Sequence, residues 1–249
     1  MLIDRNGQTW IDIHCHLLPG LDDGAATLDE TLHMARMAVA DGIGHIVATP
    51  HFTPGIYVHS GETVQKAASS LRDILRRENI ALELSVAADI RLGPEMMDLV
   101  RRGELPILGS HGEKSYFLLE FPHDSVPAGS LQAVQWLLKQ GLVPVLTHPE
   151  RNLAIQQRLD ILAPFLDAGC LVQVTADALI GRFGALARQI GEKLLQRGWV
   201  HVLATDAHDP EERPPLLSPG LAAAARWVGW PQATAMVTTT PARMLGGRG

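Results

Sequence analysis

The amino-acid sequence predicts an α/β fold whose parallel strands close into a barrel, and three observations carry that expectation. Seven β-branched or apolar runs recur along the 249 residues, helix-length segments separate most of them, and metal-ligand side chains stand where the runs stop. Parallel barrels gather their chemistry at the C-terminal strand ends, because the βα loops meet there. An open doubly wound sheet would instead concentrate such residues near one switch point.

The runs are Trp10–Leu18, His45–His51, Leu82–Ile90, Tyr116–Phe121, Val143–His148, Cys170–Thr175 and Val200–Thr205. After the first, Thr27-Leu28-Asp29-Glu30 reads as a capping box, in which hydroxyl and carboxylate satisfy free N–H groups at a helix start. That helix is expected to stop at Gly42. Gly141, Gly169 and Gly198 close later helical stretches in the same way, because a left-handed C-cap costs glycine least. Candidate ligands follow one another at 35 residues from His16 to His51, 38 to Asp89, 31 to Glu120 and 28 to His148, each the size of one βαβ step. The 58 residues from His148 to Asp206 leave room for two steps, and the sixth strand, over Leu171–Thr175, is expected to contribute no ligand. The four-proline stretch from Asp209 to Pro219 reads as a loop. Leu221–Val228 and Ala233–Thr239 read as a closing helical tail.

Length favours a single domain over residues 1–249. With 46% hydrophobic and 19% charged residues the composition is that of a globular protein. No apolar run approaches the roughly 20 residues needed to span a bilayer, and Met1 to Gln8 lacks a signal-peptide apolar stretch. No membrane insertion and a cytoplasmic location are therefore expected. The net charge is −6 and the cationic residues are scattered, so no nucleic-acid surface is expected. Only Cys15 and Cys170 are present, too few for a disulfide framework.

Strand alternation is expected to place Trp10, Asp12, His14 and His16 on one face, and Ile11, Ile13 and Cys15 on the other. Asp206 and His208 repeat the two-residue spacing at the last strand. With Asp23, His51, Asp89, Glu120 and His148 they make five imidazoles and four carboxylates. A nitrogen and oxygen set without sulfur suits manganese, iron, zinc or magnesium. Nine ligands exceed what one or two ions take from protein, so three ions sharing carboxylates are expected, a cationic site suited to a phosphate dianion. Asp12 is expected either to orient a ligating imidazole or to make an ordinary interior hydrogen bond. His33, His45, His59, His111, His123 and His201 are read as structural or surface residues.

The run from Ile11 through Asp12-Ile13-His14-Cys15-His16 to Asp22-Asp23-Gly24 closely resembles the start of the PHP (polymerase and histidinol phosphatase) superfamily. More narrowly it resembles bacterial polysaccharide-biosynthesis protein-tyrosine phosphatases. The resemblance continues through Ala48-Thr49-Pro50-His51, Leu118-Leu119-Glu120-Phe121-Pro122, Thr147-His148-Pro149-Glu150-Arg151, Gly181-Arg182-Phe183-Gly184 and Ala204-Thr205-Asp206-Ala207-His208. It implies a distorted (β/α)7 TIM-like barrel, the PHP fold, with three divalent ions, manganese or iron by family habit. It also implies phosphatase action on a phosphotyrosine protein, the tyrosine-rich tail of a capsule-regulating autokinase. By position, one ion would take His14, His16, Asp89 and Asp206, a second Glu120 and His148 with Asp89 bridging, and a third Asp23, His51 and His208. Arg151 and Arg213 match arginines that contact phosphate, and with Asp206 and His51 they form the expected catalytic set. Asp89 departs from the family's usual Glu.

The expected chemistry is in-line attack on phosphorus by a hydroxide held between the ions, with Arg151 and Arg213 steadying the phosphate oxygens by forked hydrogen bonds. A cysteinyl phosphatase needs Cys-x5-Arg, but Leu21 and Ala176 occupy the positions six beyond the two cysteines. No Gly-x-Ser-x-Gly marks a serine hydrolase, and Glu120 stands where amidohydrolases often carry Lys. A histidinol-phosphate phosphatase on the same barrel is the alternative activity. A non-catalytic PHP scaffold or polymerase-associated module is the alternative from another class.

Overall fold

The computed structural model describes residues 9–53, 55–57 and 59–247; Met1–Gln8, read above for a targeting signal, lies outside the described residues. In chain order the elements begin β1 (Trp10–Cys15), α1 (Leu28–Asp41), β2 (Ile43–Ala48), β3 (His51–Phe52), α2 (Gly61–Arg77), β4 (Glu83–Val86), β5 (Asp89–Arg91) and α3 (Pro94–Arg102). They continue with β6 (Gly109–His111), β7 (Lys114–Glu120), α4 (Ser130–Leu138), β8 (Leu142–Thr147), α5 (Leu153–Gln157), α6 (Ala163–Ala168) and β9 (Leu171–Thr175). Last come α7 (Ala176–Leu179), α8 (Gly184–Gln196), β10 (Val202–Ala204), α9 (Ser218–Val228), α10 (Trp230–Ala235) and α11 (Thr239–Met244).

Two sheets, β1-β2-β4 and β10-β9-β8-β7-β5-β3, account for the barrel wall. His45 pairs with Glu83 and His51 with Asp89, the same sequence offset, so β2 with β3, and β4 with β5, are two halves of interrupted strands. Pro50 falls in the first interruption, where a residue without an N–H cannot donate to the ladder. The wall closes between β1 and β10: the Asp206 N–H donates to the His14 carbonyl and the His16 N–H to the Ala207 carbonyl, each at 2.8 Å. Seven parallel staves result, as the seven runs suggest. The short antiparallel β6, hydrogen-bonded to β7, was not expected.

Two expectations for β1 need correction. The strand ends at Cys15, three residues short of Leu18, and its alternation is not strict. Ile13 packs in the barrel interior with Val47, Leu118, Val145 and Val202, while the next residue, His14, also points inward to Gln173 of β9. Register shifts flank Ile11 and Asp12, and two successive inward side chains are what a bulge produces. Past the bulge Cys15 joins the outer apolar cluster between strands and helices.

The helix signals hold locally. Thr27 Oγ1 accepts from Glu30 N at 3.2 Å, and the Glu30 carboxylate accepts from Ala26 N at 2.8 Å, one residue before the cap. Gly42, Gly141, Gly169 and Gly198 all have positive φ. Asp41, the last residue of α1, reaches across the chain to the start of α9, accepting from Leu217 N at 2.7 Å and Ser218 N at 2.9 Å and also from the Ser218 hydroxyl. A buried carboxylate on free helix N–H groups is worth about 1.5–3 kcal/mol. Asp41→Ala is therefore expected to lower Tm by roughly 3–12 °C for a chain of this size. An unchanged calorimetric midpoint would show that the tie contributes nothing. No described helix is long and apolar enough to cross a membrane.

Candidate metal centre

Strand ends bring the nine predicted ligands together. His14 and His16 lie at the end of β1, His51 and Asp89 begin β3 and β5, Glu120 ends β7, His148 follows β8, and Asp206 and His208 follow β10. Asp23 comes from the loop between β1 and α1. Their ligand atoms form four overlapping groups, each within 4.8 Å: His16, Asp23, His51 and His208; His14, Asp89 and His148; His14, His16 and Asp206; His51, Asp89 and Glu120. None of the other six histidines joins these groups. Asp89 enters two of them, so its shorter chain reaches both neighbours. The partition differs from the expected one in three places: Glu120 groups with His51 and Asp89, His148 groups with His14 and Asp89 instead of with Glu120, and His16 also joins the Asp23 set.

Three imidazoles have their tautomer fixed from behind. His14 Nδ1 lies 3.0 Å from Gln173 Oε1, His16 Nδ1 2.6 Å from Asp22 Oδ2, and His208 Nδ1 2.9 Å from the Asp206 carbonyl. Each partner is an acceptor, so Nδ1 donates to it and Nε2 is aimed into the centre, the usual support for a ligating imidazole. His14 Nε2 and His16 Nε2 then sit 3.3 Å apart. Sequence reasoning missed Asp22 and Gln173. The signal for Gln173 was present: it is the one polar residue in Leu171-Val172-Gln173-Val174 and is fully buried. Asp12, by contrast, touches no imidazole ring. It accepts from His14 N and from the Thr205 N–H and hydroxyl, at 3.2, 3.1 and 2.5 Å, tying β1 to the chain after β10.

Burial and neighbouring charge pull the acids apart. Burial works to raise Asp22, but the hydrogen bond and charge of His16 and the His51 and Gly24 N–H groups bring it down to about 2. The hydrogen bond from His208 leads the causes that hold Asp23 well below the usual carboxylate range. Burial, followed by the Asp89 charge, pushes Glu120 up to about 7. His148 is driven down by burial and then by Arg151. Asp89 Oδ2 and His51 Nδ1 are buried without a hydrogen-bond partner and lie 3.4 Å apart. A buried lone pair left without a donor costs about 1–3 kcal/mol, so this donor set and these orphaned atoms fit divalent cations.

Two arginines close the edge of the cluster. Arg151 Nη1 and Arg213 Nη2 both donate to Asp206 Oδ2, the latter at 2.6 Å, while Asp206 Oδ1 faces His14 and His16 at 3.3 and 3.4 Å. Their side chains are 20% and 25% exposed, and Arg213 Nε is buried without a partner. Tyr57 stacks over His51 with ring centres 5.9 Å apart. Neither thiol is equipped for nucleophilic chemistry: both are free and buried, and burial pushes Cys15 above its ordinary value and Cys170 to about 12.

A barrel with imidazoles, carboxylates and two arginines converging at its strand ends defines a metal-dependent hydrolase class of site. The family model for capsular polysaccharide synthesis, CpsB/CapC, matches residues 10–246, and the chain belongs to that family. It is 37% identical to the tyrosine-protein phosphatase YwqE of Bacillus subtilis, over 82% of this chain and 79% of that protein. It is 32% identical to the putative tyrosine-protein phosphatase CapC of Staphylococcus aureus, over 83% of this chain and 80% of that one. Among solved structures, one from the work on YwqE and the Streptococcus pneumoniae protein CpsB, described as unique metal-dependent tyrosine phosphatases, aligns with a TM-score of 0.88. That match has 32% identity and covers 96% of this chain and 95% of the other.

Proposed function

We propose that this chain is a metal-dependent, non-cysteine phosphomonoesterase that hydrolyses phosphotyrosine in a protein substrate. The observation that carries the reading is the convergence of nine nitrogen and oxygen ligands beside two arginines, supported by the family's tyrosine phosphatases. The four groups would hold three divalent ions, with manganese first and iron, zinc or magnesium as alternatives. When bound, such ions supply positive charge for phosphate oxygens and make water a competent nucleophile near neutral pH.

The chain's own residues do the rest. Asp206 Oδ2 holds both guanidinium groups at the rim, so Arg151 and Arg213 meet the phosphate already oriented and share its equatorial charge. His51 links the Asp23 and Asp89 sides, at 3.5 and 3.4 Å, and Gln173 and Asp22 keep His14 and His16 in one tautomer. A phenolate leaves with a pKa near 10, so little help from an acid is needed. The substrate class is the tyrosine-rich tail of a polysaccharide-biosynthesis autokinase, a choice that rests on the family's link to capsule synthesis. Two free, buried thiols suit a cytoplasmic enzyme. Turnover of a phosphotyrosine peptide and of histidinol phosphate by the manganese-loaded full chain tests the reading. Preference for the peptide is expected, and preference for histidinol phosphate overturns it.

A further inference from the structure

The segment Gly181-Arg182-Phe183-Gly184 is unused by the chemistry above, yet it touches both arginines. The guanidinium carbon of Arg151 lies 4.3 Å from the centre of the Phe183 ring, and that of Arg213 lies 5.6 Å from the same centre. Both distances fall within the roughly 6 Å over which a ring attracts a cation. The two arginines come from separate parts of the barrel, one after β8 and one from the loop after β10. Besides the Asp206 carboxylate, the ring is what they share.

The surrounding turn places that ring. Gly181 and Gly184 have φ of 90° and 88°, a region in which side chains with a Cβ are strained, and Gly184 N donates to Gly181 O at 2.9 Å. Between them Arg182 donates to the carbonyls of Glu211 and Glu212, at 3.4 and 3.2 Å. The loop carrying those carbonyls is folded back on itself, with His208 N donating to Arg213 O at 3.0 Å. One residue of the turn thus pins the loop that bears Arg213, and its neighbour supplies the surface against which that arginine and Arg151 rest.

The geometry points to Phe183 as a positioning residue that holds Arg151 and Arg213 together for the phosphate, with Arg182 anchoring the loop behind it. A guanidinium has a planar fork whose usefulness depends on its orientation. Asp206 Oδ2 restrains one edge of each fork, and the ring restrains its plane. Phe183 acts through the arginines, and its effect should therefore follow the phosphate group rather than the aryl group. The inference rests on the proposed role of the two arginines in binding phosphate.

The test is calorimetric titration of inorganic phosphate into the manganese-loaded full chain, with kcat and KM for para-nitrophenyl phosphate and for an alkyl phosphate. Phe183→Leu keeps bulk and removes the π face, whereas Phe183→Tyr restores the face. Phosphate affinity is expected to fall about tenfold in Phe183→Leu, with KM rising by a similar factor for both esters, and to return in Phe183→Tyr. Unchanged phosphate affinity in a folded Phe183→Leu protein overturns the inference, as does a loss confined to the aryl ester. Arg151→Ala and Arg213→Ala separate the two levels. If they weaken phosphate and Phe183→Leu does not, the inference fails alone; if they leave phosphate binding intact, the arginine reading fails with it.

Discussion

Asp206→Asn is expected to lower kcat/KM for a phosphotyrosine peptide by on the order of 10³-fold, more than the loss of either arginine alone. Its two oxygens serve different partners. Oδ1 faces His14 Nε2 at 3.3 Å, His16 Nε2 at 3.4 Å and His208 Nδ1 at 3.7 Å, while Oδ2 accepts from Arg151 and Arg213. Burial alone would raise its pKa, but His14 and the two arginines overcome burial and keep it well below the carboxylate range. Asparagine removes the charge and leaves one oxygen in place of two, so either the guanidinium side faces an NH2 that cannot accept from it or the imidazole side faces an NH2 that cannot hold a cation. The backbone should tolerate the exchange, because Asp206 has φ of 51° and Asn is among the few side chains accepted there. Activity and metal content of the folded variant check this together. Retention of more than a tenth of the wild-type kcat/KM would remove Asp206 from the centre of the site.

Asp206 also marks the limit of what the sequence made legible. Periodic apolar runs and glycine stops expose the seven staves, because burial on both faces and left-handed caps leave local traces at Gly42, Gly141, Gly169 and Gly198. The side chains that converge at the centre are readable wherever a run stops at a histidine or carboxylate. Neighbouring residues with equal chemistry are not. Asp22 and Asp23 are indistinguishable as letters, yet the turn after β1 sends one behind His16 and the other toward His208. The bulge at Ile13 and His14 has no local signature, since it depends on how β1 meets its neighbours. Strand β6 carries Gly109-Ser110-His111, which lacks apolar alternation and pairs only because the turn at Gly112, with φ of 61°, folds it onto β7. Gln173 is illegible for a different reason: β9 ends without a histidine or carboxylate, so nothing at its end points to the site, although a buried amide within an apolar run requires a partner.

Metal removal is the other large effect. Asp23, Asp89, Glu120 and Asp206 crowd together with five imidazoles in four overlapping groups, and His16, His14 and Asp206 are held from outside by Asp22, Gln173 and the two arginines. The pocket is thus held in a shape suited to cations, and an ion that binds the folded chain alone must stabilise it. At a free concentration near 1,000 times Kd the gain is about 4 kcal/mol for a site, or roughly 8–16 °C in Tm for a chain of this length. Incubation with a chelator is expected to abolish phosphatase activity and lower the midpoint by at least that range, and manganese should restore both. Elemental analysis of the restored protein is expected to find three ions per chain. The comparison also separates the two roles assigned to Asp206: in Asp206→Asn the manganese-induced rise in Tm should shrink, whereas in Arg151→Ala it should persist while phosphate turnover falls. A midpoint that none of manganese, iron, zinc or magnesium moves, in a protein that remains folded throughout, would mean that the nine side chains converge without forming a metal site.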